Sequence, residues 1–196
     1  MKVLFVSSGN KRSGISQVVQ NQGASLQRQQ VNIDYFPVAG KGGWGYIRNI
    51  PRLNSMIRKK RYDIIHAHYS LSGFLVTIAA PFKKNIVVSL MGTFRKGTLK
   101  YVLVRFLAKY HWKAVIVKSE RMKEQIGLEK SILIPNGVEL QKFTSLPLRD
   151  ILRRELGFAA DRKYVIFVAN PSREEKNFML CRESVERLGD PSVELQ

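Results

Sequence analysis

One pairing recurs through this chain and limits what it can fold into: a short apolar run closed by turn residues, then a longer segment whose apolar residues return at helical spacing. Lys2-Val-Leu-Phe-Val6, Asn85-Ile-Val-Val-Ser-Leu90, Lys113-Ala-Val-Ile-Val117 and Ser131-Ile-Leu-Ile134 are runs of this kind. They are near-continuous rather than alternating, as strands buried on both faces of a parallel sheet are. Parallel neighbours need a crossover, usually a helix, so the pattern predicts an α/β chain with a Rossmann-like parallel sheet and helices on both faces.

The remaining elements follow from spacing. A helix is expected over 15–30 with Val18, Val19, Gln22, Leu26 and Gln29 near one face, then a strand over Val31 to Phe36. Ile47, Ile50, Leu53, Met56 and Ile57 mark a second helix, Tyr62-Asp-Ile-Ile-His66 a third strand and Leu71 to Ala80 a further helix. Pro135 and Asn136-Gly137 then punctuate the chain. Beyond them Leu148 to Leu156 reads as a helix that Gly157 terminates, and Lys163-Tyr-Val-Ile-Phe-Val168 restarts the strand, loop, helix order. With 196 residues the chain fills one core and begins another, so the expected division is one domain over 1–143 and, over 144–196, a linker helix with an incomplete second Rossmann-like domain.

Charge sharpens that division. Residues 1–135 hold 23 Lys and Arg against five acids, a balance of +18, whereas residues 136–196 hold ten of each. A domain so one-sidedly basic seeks an anionic partner: lipid head groups, a diphosphate, a nucleotide or nucleic acid. No apolar run approaches the roughly 20 residues of a membrane-spanning helix. Met1 leads directly into a strand, so no signal peptide is expected, and the lone Cys181 suits a reducing cytoplasm.

Ligands of open α/β sheets bind outside the carboxyl ends of the strands. The loop after the first strand, Ser7-Ser-Gly-Asn-Lys-Arg-Ser-Gly14, carries glycines that allow close backbone approach just before a helix N-terminus, although its spacing is not G-x-G-x-x-G. His66 and His68 share one side of the third strand, and the later His68 is the better candidate for the cleft, a core histidine at a strand end being the alternative. A metal site would need a further ligand, and none is expected. After the next strand, Gly92 is expected to let backbone amides face the cleft and Thr93 to hydrogen-bond a hydroxyl or phosphate, a buried turn being the alternative.

Asp63-Ile-Ile-His-Ala-His-Tyr-Ser-Leu-Ser-Gly73, Val88-Ser-Leu-Met-Gly-Thr93, Val115-Ile-Val-Lys-Ser119 and Ile134-Pro-Asn-Gly-Val-Glu-Leu-Gln-Lys-Phe143 resemble, in order, landmarks of the GT-B glycosyltransferases of family 4. Val165-Ile-Phe-Val-Ala-Asn-Pro-Ser-Arg-Glu-Glu-Lys-Asn177 resembles the opening of their donor-binding domain. The resemblance implies sugar transfer from a nucleotide-sugar to an acceptor such as a glycan or lipid-linked glycan of surface polysaccharide synthesis, with retention and without a metal or other cofactor. It makes 1–143 the acceptor-side domain, with Gly14, His68, Gly92 and Thr93 at the cleft. Lys176 matches the lysine that grips the donor diphosphate, Asn170 stands where an arginine is expected, and Arg173 is its candidate replacement. Met91 replaces a histidine usual before the glycine, and Ser13-Gly14 supplies one glycine of the usual pair. The chain ends before the family's pair of donor-contacting glutamates, so it is expected to turn over little alone. A carbohydrate- or membrane-binding module without a working donor site is the alternative.

The segment 96–112 bears on location. On a helical wheel Leu99, Val102, Leu103, Phe106, Leu107 and Tyr110 form a broad arc assigned to the core, leaving Tyr101, Val104, Arg105 and Trp112 outside it. Exposed aromatics beside Arg and Lys, with Arg58-Lys-Lys-Arg61 and Lys83-Lys84 nearby, suit the cytoplasmic face of an anionic membrane, and Tyr101, Arg105 and Trp112 are its expected contacts. A second buried side of the helix is the alternative. Nucleic acid is not an expected partner, because no RNP-like strand, zinc spacing or homeodomain pattern occurs. A glycosidase would need paired carboxylates, and only Asp34 and Asp63 precede Glu120.

Overall fold

The computed structural model describes residues 1–9, 14–40, 42–92, 94–138, 140 and 149–196. The chain divides into two compact units, Met1–Glu139 and Leu140–Gln196.

The first unit is a six-stranded parallel sheet. Its strands are β1 (Lys2–Ser8), β2 (Asn32–Val38), β3 (Ile64–His68), β4 (Ile86–Ser89), β5 (Ala114–Val117) and β6 (Ser131–Leu133), in the spatial order β2-β1-β3-β4-β5-β6. Helices α1 (Gln17–Arg28), α2 (Gly42–Ile47), α3 (Ile50–Lys60), α4 (Ser70–Ala79), α5 (Leu99–Tyr110) and α6 (Glu120–Ile126) make the connections. Alternation along the strands sorts two cores. Val3 and Phe5 of β1 pack with Val19 of α1 and Ile33. Leu4 and Val6 face the opposite way, into the larger core of Leu53, Ile57, Val76, Val88, Val104, Val117 and Ile126 under α3 to α6. The Rossmann-like sheet with helices on both faces is therefore the one expected from the apolar runs.

Three local readings change. The single helix expected around Ile47 and Ile57 is two, broken near Asn49, whose amide donates to Ala39 O at 2.8 Å and Gly45 O at 2.5 Å. On α1 the core face is Val19 and Gly23, with Val18 turned out. Strand β3 starts two residues later than expected, at Ile64; Asp63 just before it is tied twice to Lys2, its N–H donating to Lys2 O at 2.9 Å and its carboxylate accepting the Lys2 backbone N–H at 2.7 Å. His66 and His68 consequently lie within the strand.

Helix α5 corrects the largest expectation. The broad arc faces outward except for Leu107: Leu99 is 74% exposed, and Val102, Leu103, Phe106 and Tyr110 are exposed too. The arc assigned to the membrane faces inward. Val104 is fully buried, Tyr101, Leu107 and Ala108 pack against the core, and Trp112 is only 5% exposed. Polar satisfaction selects this orientation. The Trp112 indole N–H donates to Thr77 Oγ1 at 2.9 Å, and Arg105 donates to Ile126 O at 2.5 Å and Gly127 O at 2.9 Å, satisfying the carbonyls at the end of α6. Tyr101, Arg105 and Trp112 thus tie α5 to α4 and α6 rather than meeting a membrane.

The second unit contains α7 (Arg149–Glu155), β7 (Lys163–Val165), a 3₁₀ turn at Glu174–Lys176, α8 (Phe178–Arg187) and β8 (Val193–Leu195). Strands β7 and β8 pair in parallel across α8, a β-α-β arrangement. Gly157, at φ 76°, closes α7 as expected: Gly157 N–H donates to Arg154 O and Phe158 N–H to Arg153 O at 2.7 Å.

Candidate functional site

In the first unit the carboxyl ends of three strands and the starts of two helices meet around a cavity of about 280 Å³. Ser8 ends β1, Tyr69 and Ser70 join β3 to α4, and Met91 and Gly92 follow β4. Ser16 is the N-cap residue of α1, Tyr46 comes from α2, Leu71 from the first turn of α4, Phe94 from the approach to α5 and Lys100 from its first turn.

The wall favours an anion. Neither α1 nor α4 has an acidic residue in its first turn or a side-chain hydrogen bond at its N-cap. Apart from Val19 N–H, which donates to Ser16 O at 3.0 Å, the first-turn N–H groups lack intrahelical acceptors, and both helix dipoles present their positive ends here. Ser16 is 7% exposed, and its hydroxyl has no hydrogen-bond partner. Lys100 adds an ammonium, 5.3 Å from the centre of the Phe94 ring. Tyr46, Tyr69 and Ser70 offer hydroxyls, and Leu71, Met91 and Phe94 offer apolar surface for the carbon face of a sugar. The turn into α4 is strained, with Tyr69 at φ 71°. It is held by Tyr69 N–H donating to Ser89 O at 2.9 Å and Gly73 N–H donating to Tyr69 O at 3.1 Å.

Of the expected cleft residues, Gly92 lines this cavity and Thr93 lies outside the described residues. Gly14 has φ 75° with no atom within 4 Å of where a Cβ would stand, so its backbone conformation rather than crowding asks for glycine. The loop residues 10–13 before it lie outside the described residues.

His68 is corrected: it is fully buried within β3 and does not reach the cavity. His66 Nε2 and Ser89 Oγ share a hydrogen bond of 2.8 Å, whereas neither ring nitrogen of His68 has a partner. The two imidazoles stack at 4.3 Å between centroids, with Phe5 edge-on to both. Burial, then the charge of Lys118, pushes His66 down to about 4. Burial, then His66 and Lys118, pushes His68 lower still. Both rings are neutral at pH 7 and belong to the core.

In the second unit Asn170 Oδ1 accepts the Ser172 N–H at 2.9 Å. Arg173 Nε donates to Glu175 Oε1 at 2.7 Å, and exposed Lys176 closes the 3₁₀ turn. Arg173 is thus engaged by its neighbour Glu175. Among the described residues no group of three or more His, Cys, Asp or Glu could hold a metal ion.

Sequence reasoning missed Ser16, Tyr46, Tyr69, Ser70 and Lys100. The one available signal was Tyr69-Ser70 immediately after a strand and before an apolar helix, where a hydroxyl residue opens a helix N-terminus.

Comparison with known proteins follows this geometry. Sucrose-phosphate synthase from Thermosynechococcus elongatus superposes with a TM-score of 0.68 at 15% identity, covering 100% of this chain and 70% of that one. HepE of Anabaena, solved in complex with UDP and glucose, gives 0.65 at 15% identity, covering 100% and 68%. A UDP-N-acetylglucosamine 2-epimerase shares the fold at 0.55 and 14% identity, covering 100% and 62%. No curated protein matches the sequence. Residues 7–142 match the model of Glycosyltransferase Family 4, and the chain belongs to that family.

Proposed function

We propose that the protein takes part in transfer of a sugar from a nucleotide-sugar to a glycan or lipid-linked glycan of surface polysaccharide synthesis, with retention at the anomeric carbon and without a metal. The cavity carries this reading. Two helix N-termini and Lys100 suit a phosphate or other anionic group, while hydroxyls and apolar side chains suit a sugar. Its described lining contains no carboxylate and no imidazole. The bond from the anomeric carbon to the diphosphate oxygen breaks, the diphosphate leaves with the electron pair, and the acceptor oxygen forms the new bond. With no carboxylate or imidazole among the described lining residues to take it, the acceptor proton passes to the departing diphosphate oxygen. That transfer requires both oxygens on one face of the sugar, and retention follows.

A second reading, a carbohydrate- or membrane-binding module without a working donor site, is favoured by two observations. Asn170 stands where an arginine is expected, and Arg173 is held by Glu175. Calorimetric titration with nucleoside diphosphates, alongside a transfer assay with a panel of nucleotide-sugars, separates the two. The first reading expects binding that weakens about tenfold in Lys100→Ala, the loss of one charge-assisted contact. Glycan or vesicle binding with no nucleotide affinity supports the second, and transfer with inversion sinks the proposed mechanism.

A further inference from the structure

We infer that the face of the first unit formed by α4 and α5 is a seat for an anionic lipid bilayer. The inference is independent of sugar transfer, since it rests on surface and charge alone.

Leu99, Val102, Leu103, Phe106 and Tyr110 are all exposed and recur at 0, 3, 4, 7 and 11 along α5, one continuous stripe. Helix α4 lies beside it on the same side of the sheet: Trp112 donates to Thr77 and stacks near Phe74, at 6.3 Å between ring centroids. Ile78 of α4 is exposed, and Phe82 just beyond is 95% exposed. So many large apolar side chains on adjoining elements mark a contact surface, not scattered exposure.

Charge selects the occupant. Residues 64–119, which include both helices, contain nine Lys and Arg and no Asp or Glu. Lys83, Lys84, Lys100 and Lys109 flank the apolar stripe and are exposed. A second copy meeting this face would bring cations against cations with no carboxylate between them. Nucleic acid would pair the cations and leave the aliphatic stripe without an apolar partner. A bilayer satisfies both, with acyl chains for Phe82, Val102 and Phe106 and anionic head groups for the lysines. Among the described residues no helix is long and apolar enough to cross a membrane, so the contact is with the interface.

Co-sedimentation of the full chain with vesicles tests this. Binding to phosphatidylcholine vesicles containing phosphatidylglycerol is expected to exceed binding to pure phosphatidylcholine by at least about tenfold and to weaken as salt rises. The double variant Val102→Asp/Phe106→Asp is expected to lose about tenfold or more of that binding with an unchanged circular dichroism spectrum, because both side chains already face solvent. Lys83→Glu/Lys84→Glu is expected to reduce the preference for phosphatidylglycerol. No binding at low salt overturns the proposal, as does binding that survives Val102→Asp/Phe106→Asp. Self-association by sedimentation velocity that the double variant abolishes, without vesicle binding, assigns the face to a second copy and also overturns it.

Discussion

Phe5, His66 and His68 form an aromatic layer on the α1 side of the sheet, and the imidazoles stay neutral because burial disfavours their charged form and Lys118 adds a like charge nearby. That has a pH signature. His66 titrates at about 4 when folded and near its ordinary 6.5 when unfolded, so between these values the unfolded chain holds the extra proton and stability rises with pH. The expected loss begins as pH falls below about 6.5 and is complete near the folded value, on the order of 3 kcal/mol for His66. Urea titrations at several pH values between neutrality and moderate acid measure it. His68→Leu is expected to flatten the slope and to be neutral or stabilising at pH 7, since it removes a buried group without a partner. A large loss of stability at pH 7 would show that His68 has a polar role. Strand alternation correctly put both rings on one side of β3. The start of that strand was illegible because Asp63 is tied to Lys2, a contact 61 residues away in sequence.

At the scale of elements, α5 shows where periodicity stops being informative. Its sequence offers two apolar arcs, and width alone assigns the broader one to the core. The narrower arc is buried because only it places Arg105 on the α6 carbonyls and the Trp112 indole on Thr77, both tertiary partners that no window along the chain reveals. The orientation predicts unequal costs for equal changes. Val104→Asp is expected to cost several kcal/mol, on the order of 3 or more, by burying an unpaired carboxylate, whereas Val102→Asp on the exposed arc is expected to shift stability by less than about 0.5. Arg105→Ala is expected to lose about 1–2 kcal/mol by leaving the Ile126 and Gly127 carbonyls without their donor. Denaturant midpoints of the three variants check the order, and equal costs for the two valine changes would refute the orientation of α5.

Across the whole molecule the two units differ in how they are held together. The first unit encloses two cores with fully buried Leu4, Val6, Leu53, Ile65, Val88 and Ile126, and it carries nearly all of the positive excess, 23 Lys and Arg against six acids. Its sheet was legible because six short apolar runs, spaced by helical segments, leave few alternatives to a parallel arrangement. Its cavity was not, since Ser16, Tyr46, Ser70 and Lys100 come from four separate elements and meet only in three dimensions. The second unit has no buried residue among those described: Val168 is 90% exposed, and Ile166, Leu180 and Leu188 are exposed as well. With so little apolar surface removed from water, its helices and two-stranded sheet have little to offset the entropy of ordering them. Amides in 149–196 are therefore expected to exchange with solvent deuterium orders of magnitude faster than those of β1, β3 and β4, whose opening requires global unfolding of the first unit. Limited trypsin digestion should cut first at exposed sites such as Lys163, Arg173 and Arg182 and leave a resistant fragment containing the first unit. Equal protection in both halves, or a resistant fragment from the second, would mean that stability is not divided as burial divides it.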